Sequence, residues 1–176
     1  MQTEYYKAIC RQMHKFAANK KVIFLGQQVV SEDFYGTLKG IPNDRRIEMP
    51  VAEELQMGLS IGLSMEGFVP VSIYQRMDFL PRACDQLVNH LNLIEDMSGG
   101  VFKPRVIIRT TIGSRRPLDV GPQHSQDLTE MFKAVLKFPV LKVRTPKEVD
   151  HAYNLAYTSK SPVMIIEVQD LYKSGK

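Results

Sequence analysis

The chain has 176 residues and a mass of 20.1 kDa, with 44% hydrophobic and 24% charged residues. That is the size of one domain with a core of its own, too apolar for a disordered chain and too ordinary in Gly and Pro for a low-complexity one. The net charge of +4 and pI of about 9.0 are only mildly basic, which excludes the profile of a dedicated nucleic-acid binder.

Strand-like and helix-like segments alternate along the chain. Residues 3–18 set Tyr6, Ile9, Cys10, Met13 and Phe16 at helical spacing, and Val22-Ile23-Phe24-Leu25 follows as a short apolar run ending at Gly26. Such a run fits a strand buried on both faces of a parallel sheet. Residues 32–39 are expected as a short helix before Gly40 and Pro42, and Arg46-Ile47-Glu48-Met49 as a short strand stopped by Pro50. Residues 53–65 read as a helix on which Leu55, Leu59 and Leu63 recur every fourth position beside Gly58 and Gly62. Glycine costs a helix ~1 kcal/mol against alanine, so these two suit a face where another backbone packs close.

Residues 68–74 give the next strand, 79–95 the next helix, and Val106-Ile107-Ile108 a buried strand. Residues 111–124 form a long loop rich in Gly, Pro, Ser and Arg, a candidate functional segment. A helix over 126–137, a strand at Leu141-Lys142-Val143, a helix over 147–159 and a strand over 162–168 complete the chain. Thr145-Pro146 supplies an N-cap and a first helical residue. The alternation predicts one α/β domain over residues 1–176, a three-layer α/β/α arrangement with a mainly parallel sheet. Ligands of such sheets lie beyond the carboxyl ends of the strands.

No apolar run approaches the ~20 residues of a membrane span, and the polar start Met1-Gln2-Thr3-Glu4 lacks a signal-peptide pattern. Cys10 and Cys84 stand far apart without metal-ligand spacing, and read as buried reduced thiols of a cytoplasmic or equivalent reducing compartment. The pairs Lys20-Lys21 and Arg45-Arg46 read as solvated surface charge. Phosphate-cradling GxxxxGK[ST] and GxGxxG loops and the GxSxG elbow are missing. His14, His90, His124 and His151 show no paired metal spacing.

Six segments in order carry a resemblance: VIFLGQQV (22–29), RRIEMPVAEELQMGLSIGLSMEGFVPV (45–71), DQLVN (85–89), MSGG (97–100), GPQHSQ (121–126) and SPVMIIE (161–167). Together they resemble the pyrimidine-binding domain of thiamine-diphosphate enzymes. They look most like the beta subunit of the decarboxylase component of 2-oxo-acid dehydrogenase complexes, pyruvate or branched-chain type. The resemblance implies thiamine diphosphate as cofactor, shared with a diphosphate-binding, alpha-type partner chain. Because no GDG-type motif is present here, Mg²⁺ is expected on that partner, and a homo- or hetero-oligomer with no nucleic acid or membrane partner is implied. The family's beta subunit continues into a second domain, so this sequence corresponds to the first domain alone.

The resemblance also assigns residues. Pro50-Val51-Ala52-Glu53 matches the family's Pro-x-x-Glu, in which the Glu hydrogen-bonds a ring nitrogen of the aminopyrimidine; Glu53 inherits that role. Desolvation at an interface favours the neutral acid that proton shuttling needs. A plain helix N-terminal charge is the other reading of Glu53. Phe79 falls where the family stacks an aromatic on the pyrimidine, or is an ordinary core residue. His124 matches the family's active-site loop histidine, near the reacting carbon, or is a loop histidine bonded to Ser125 or backbone. Asp85 matches an Asp on the interface helix, or is satisfied by solvent. Gln27 and Gln28 stand where the family carries acidic residues, and Gln28 is placed at the cofactor as an uncharged hydrogen-bonding group. Residues 74–78 are more polar than the family's aromatic motif, and Arg115-Arg116 in the loop before His124 is unusual. A non-catalytic interaction module that keeps the fold and pairing surface is the alternative function.

Overall fold

A computed structural model describes residues 1–115 and 119–173. Six parallel strands form one sheet: β1 (Val22–Gly26), β2 (Arg46–Glu48), β3 (Val69–Tyr74), β4 (Ile107–Ile112), β5 (Val140–Val143) and β6 (Val163–Val168), in the order β2-β1-β3-β4-β6-β5. Successive side chains alternate faces, and both faces are buried. Phe24, Val71, Ile73 and Ile165 meet α1 (Glu4–Ala17) and α5 (Pro146–Thr158) on one side. Ile108, Met164 and Ile166 meet α2 (Glu53–Met65), the segment 77–91 and α4 (Thr129–Val135) on the other. The helices start where the sequence signals them: Thr3 caps α1, and Thr145 with Glu148 forms a capping box on α5.

Four expectations change. Residues 32–39 are not a helix. Asp33, Phe34 and Tyr35 have φ of 50°, 42° and 56°, a left-handed turn that costs roughly 1–2 kcal/mol per residue. Tertiary contacts hold it: Phe34 is fully buried under the Arg109 guanidinium, 4.7 Å from ring centroid to Cζ, and Asp33 pairs with Arg46. Arg45 and Arg46 are therefore structural rather than solvated; Arg45 donates to the carbonyls of Asn19 and Val22, each at 2.6 Å.

Residues 79–95 are not one helix either. Pro81 lacks an N–H, and the segment divides into a 3₁₀ stretch (Met77–Ala83), a π-helical stretch (Asp85–Leu91) and the short α3 (Ile94–Met97). The cysteines are free, as expected, but half-buried rather than buried.

A buried ion pair went unread in the sequence. Arg109 on β4 and Glu167 on β6 are both fully buried and meet through two parallel bonds of 2.9 Å. Thr37 accepts a third bond from Arg109, and Tyr153 and Tyr172 donate to Glu167, so both charges are paired and further hydrogen-bonded.

Candidate active site

The candidate site lies beyond the carboxyl ends of β1 and β3, where the strand order reverses between β2-β1 and β3-β4. β1 ends at Gly26 because nothing larger fits: a Cβ there would sit 2.2 Å from the Ile73 carbonyl oxygen on β3. The chain then runs into Gln27 and Gln28 at the mouth of that crevice.

Glu53 opens α2. The helix buries Glu53, Gln56, Met57, Ser60 and Ile61, spaced as one helical face, so the first of these carries a carboxylate into the interior. Gln56 fixes the helix to the sheet, donating to Ser72 Oγ at 3.1 Å and to the Ile73 carbonyl at 3.0 Å. The Tyr74 hydroxyl donates to the Glu53 carbonyl at 3.4 Å, and burial pushes that phenol well up, so it remains a neutral donor.

The Glu53 side chain is 2% exposed. The Gln27 amide donates to Oε1 at 3.4 Å, while Oε2 is buried and accepts no hydrogen bond from the described residues. Arg82 Nε approaches Oε2 to 2.8 Å, a charge contact whose N–H is not aligned as a hydrogen bond. An open cleft of about 700 Å³ begins here, lined by Glu53, Glu54, Leu55, Gly58, Arg82 and Gln86 among others.

Phe79 and Arg82 are three residues apart on the 3₁₀ stretch, whose three-residue repeat puts them on the same side. The Phe79 ring meets His124 edge to face, with centroids 5.7 Å apart and planes at 79°. The His124 imidazole makes no hydrogen bond among the described residues; Ser125 donates to the Gly121 carbonyl instead. Four hydrogen bonds pin the histidine loop to residues 76–78. Arg76 Nη1 donates to the carbonyls of Gly113 and His124 at 3.2 and 3.1 Å, Asp78 accepts from Gln126 N at 3.0 Å, and Met77 Sδ accepts from Leu128 N. The polar character of residues 74–78 thus has a local purpose that an unaligned stretch of sequence could not reveal.

The structure brings Glu53, Gln27 and Arg82 together, and Phe79 and His124 together. Gln28 is near them but committed: its amide accepts from Gln75 and donates to Glu32 at 3.0 Å, so Gln27 is the glutamine that reaches Glu53. Asp85 is exposed on the π-helical stretch, accepting from Asn89 at 2.7 Å with His90 at 3.4 Å. Gly58 and Gly62 have no crowding neighbour in this chain; a Cβ at Gly58 would rest 3.5 Å from Gln86, and one at Gly62 would meet nothing within 4 Å. Arg115 is exposed at the loop, its N–H donating to Asp170, whereas Arg116 lies outside the described residues. No cluster of three metal-binding side chains occurs among the described residues, and no described helix is long and apolar enough to cross a membrane.

Six parallel strands between helical layers, with a crevice beyond the carboxyl ends of β1 and β3, define a doubly wound α/β domain. The chain belongs to the family described as transketolase, pyrimidine binding domain, whose model matches residues 4–174. It is similar to the pyruvate dehydrogenase E1 component subunit beta of Chlorokybus atmophyticus, 28% identical over 174 residues, covering 94% of this chain and 50% of the relative. It is also similar to the mitochondrial subunit beta of Ascaris suum, 31% identical over 160 residues, covering 86% of this chain and 43% of the relative. The fold matches a solved split-gene transketolase, an inactive beta4 tetramer, with a TM-score of 0.68 at 20% identity, over 94% of this chain and 50% of that one. The chain therefore spans about half the length of these relatives. Relatives with chloroplastic and mitochondrial names, such as a beta-3 subunit of Arabidopsis thaliana, lend no support to a cytoplasmic location.

Proposed function

We propose that this chain is the pyrimidine-side subunit of a thiamine-diphosphate-dependent 2-oxo-acid decarboxylase or dehydrogenase, active with a diphosphate-binding partner. The carrying observation is Glu53: a carboxylate buried in a helix start, with Oε2 lacking a hydrogen bond at the edge of an open cleft. Only the exposed Arg82 guanidinium meets Oε2, so a ligand entering the cleft can complete the hydrogen bonding of this buried carboxylate. The residues present fit an aminopyrimidine ring, which offers a nitrogen to such an oxygen. When bound, thiamine diphosphate supplies the electron sink for decarboxylation of a 2-oxo acid.

This chain's own groups divide the remaining work. Glu53 shares a proton with the ring nitrogen at Oε2, and the Gln27 amide orients its other oxygen. Phe79 offers an apolar face to the ring. His124, held by Phe79 and by the Arg76 clamp on its backbone, moves a proton at its imidazole near the reacting centre. Diphosphate and Mg²⁺ are held by the partner chain. The exposed face of α2, with Leu55, Leu59, Gly58 and Gly62, and the stretch carrying Asp85 meet another chain.

The test is to copurify the chain with its partner and measure CO₂ release from a panel of 2-oxo acids with thiamine diphosphate and Mg²⁺. Glu53→Ala is expected to abolish turnover while circular dichroism shows an intact fold. Retained turnover in that variant overturns the role of Glu53. A native complex that neither binds the cofactor nor releases CO₂ overturns the catalytic reading in favour of an interaction module.

A further inference from the structure

Resting on that reading, we infer that Arg82 is a gate on the cofactor site: its guanidinium competes with the pyrimidine ring for Glu53 and sets how tightly the ring binds. Glu53 is 2% exposed and Arg82 66% exposed, so the pair joins an interior carboxylate to a solvent-facing cation. The contact falls on Oε2, the oxygen without a hydrogen bond, and not on Oε1, which Gln27 already holds. Arg82 makes no other ion pair among the described residues, so little else anchors its head.

Both groups line the same cleft, together with Glu54 and Gln86. A ring nitrogen reaching Oε2 therefore enters the space that the guanidinium covers. Arg82 must swing aside, and Glu54 and Gln86 offer it acceptors nearby. A site closed part of the time binds with an affinity reduced by the open fraction. That occupation opposes ring binding, and it ends when the guanidinium is removed.

The experiment measures the Kd for thiamine diphosphate by calorimetry on the copurified complex, for the native chain, Arg82→Gln and Arg82→Lys. Arg82→Gln is expected to tighten binding about fivefold, the upper end of what an exposed cation on a carboxylate contributes. Arg82→Lys, which keeps the charge, is expected to stay near the native value. A cofactor analogue with CH in place of the ring nitrogen should gain less than the natural cofactor from Arg82→Gln, because it fills the same space but makes no demand on Oε2. Unchanged or weaker binding of the natural cofactor by Arg82→Gln overturns the gate and leaves the thiamine reading standing. Failure of every complex to bind the cofactor overturns both.

Discussion

Phe79 and His124 come from segments 45 residues apart and meet edge to face at 5.7 Å, which joins two halves of the candidate site into one wall. The contact is not left to the rings alone. Arg76, three residues before Phe79, holds the His124 carbonyl at 3.1 Å, and Asp78 holds Gln126 N at 3.0 Å. A loop otherwise rich in Gly and Pro is thereby fastened to the segment that bears the aromatic.

The two rings should separate in their kinetic effects. If His124 acts as proposed, His124→Ala removes a proton-transfer group and is expected to lower kcat of the copurified complex about a hundredfold with little change in cofactor Kd. Phe79→Ala removes both the apolar face and the support of the histidine, so kcat should fall and cofactor Kd should rise together. An equal loss of kcat with unchanged Kd in both variants would show that Phe79 acts only through His124.

Sequence reading located the sheet well, because parallel strands buried on both faces are continuous apolar runs, as at Val22–Leu25 and Val163–Ile166. It located Glu53 only through the match to a family motif. It failed where tertiary contacts override local preference. The left-handed turn at Asp33–Tyr35 is held by Arg46 and Arg109, residues distant in sequence, and the break in 79–95 falls at Pro81, which has no N–H to continue a helix. Arg82 stood unnoticed because an arginine on a polar segment carries no mark of what it faces. Arg109 and Glu167, 58 residues apart, sit in apolar runs where their pairing is invisible until the strands are side by side.

The outward face of α2 predicts association. Val51, Leu55 and Leu59 are 72%, 58% and 37% exposed, and Gly62 beside them is open. Buried leucines contribute about 1.5–3 kcal/mol each, so covering this row favours assembly. Leu55→Asp with Leu59→Asp is expected to release the partner in analytical ultracentrifugation. The thermal midpoint of the chain itself should hardly move, since neither side chain belongs to its core. Loss of fold in parallel with loss of assembly would count against a separate docking face.

The Arg109–Glu167 pair predicts a large, asymmetric cost. Removing one member leaves the other buried and uncompensated, worth about 3–5 kcal/mol. Glu167→Ala also strips Tyr153 and Tyr172 of their acceptor. Urea unfolding should show a midpoint far below native, whereas Arg109→Met combined with Glu167→Leu should recover much of the loss. If the double variant were as unstable as either single one, the pair would be doing more than neutralising itself.

The same cluster shapes behaviour at high pH. Burial first, and the Glu167 charge next, push the Tyr153 and Tyr172 phenols well above the ordinary range. Burial with Cys10 alongside pushes Tyr6 up to about 12, and burial raises Cys10 and Cys84. In the unfolded chain thiols lose their protons near pH ~8.5 and phenols near ~10. Above those values the folded chain retains protons that the unfolded chain has released, so stability falls as pH rises. The contribution is complete below the unfolded values and is lost as pH climbs through the folded ones. The urea midpoint is therefore expected to stay level between about pH 7 and 8 and to decline steadily from about pH 9 upward. The decline should be steeper than in Tyr6→Phe, which removes one raised phenol without emptying its place in the core. A midpoint that held level to about pH 11 would mean these phenols titrate as they do in the open chain, and the burial that closes this face of the sheet would have to be looser than the structure shows.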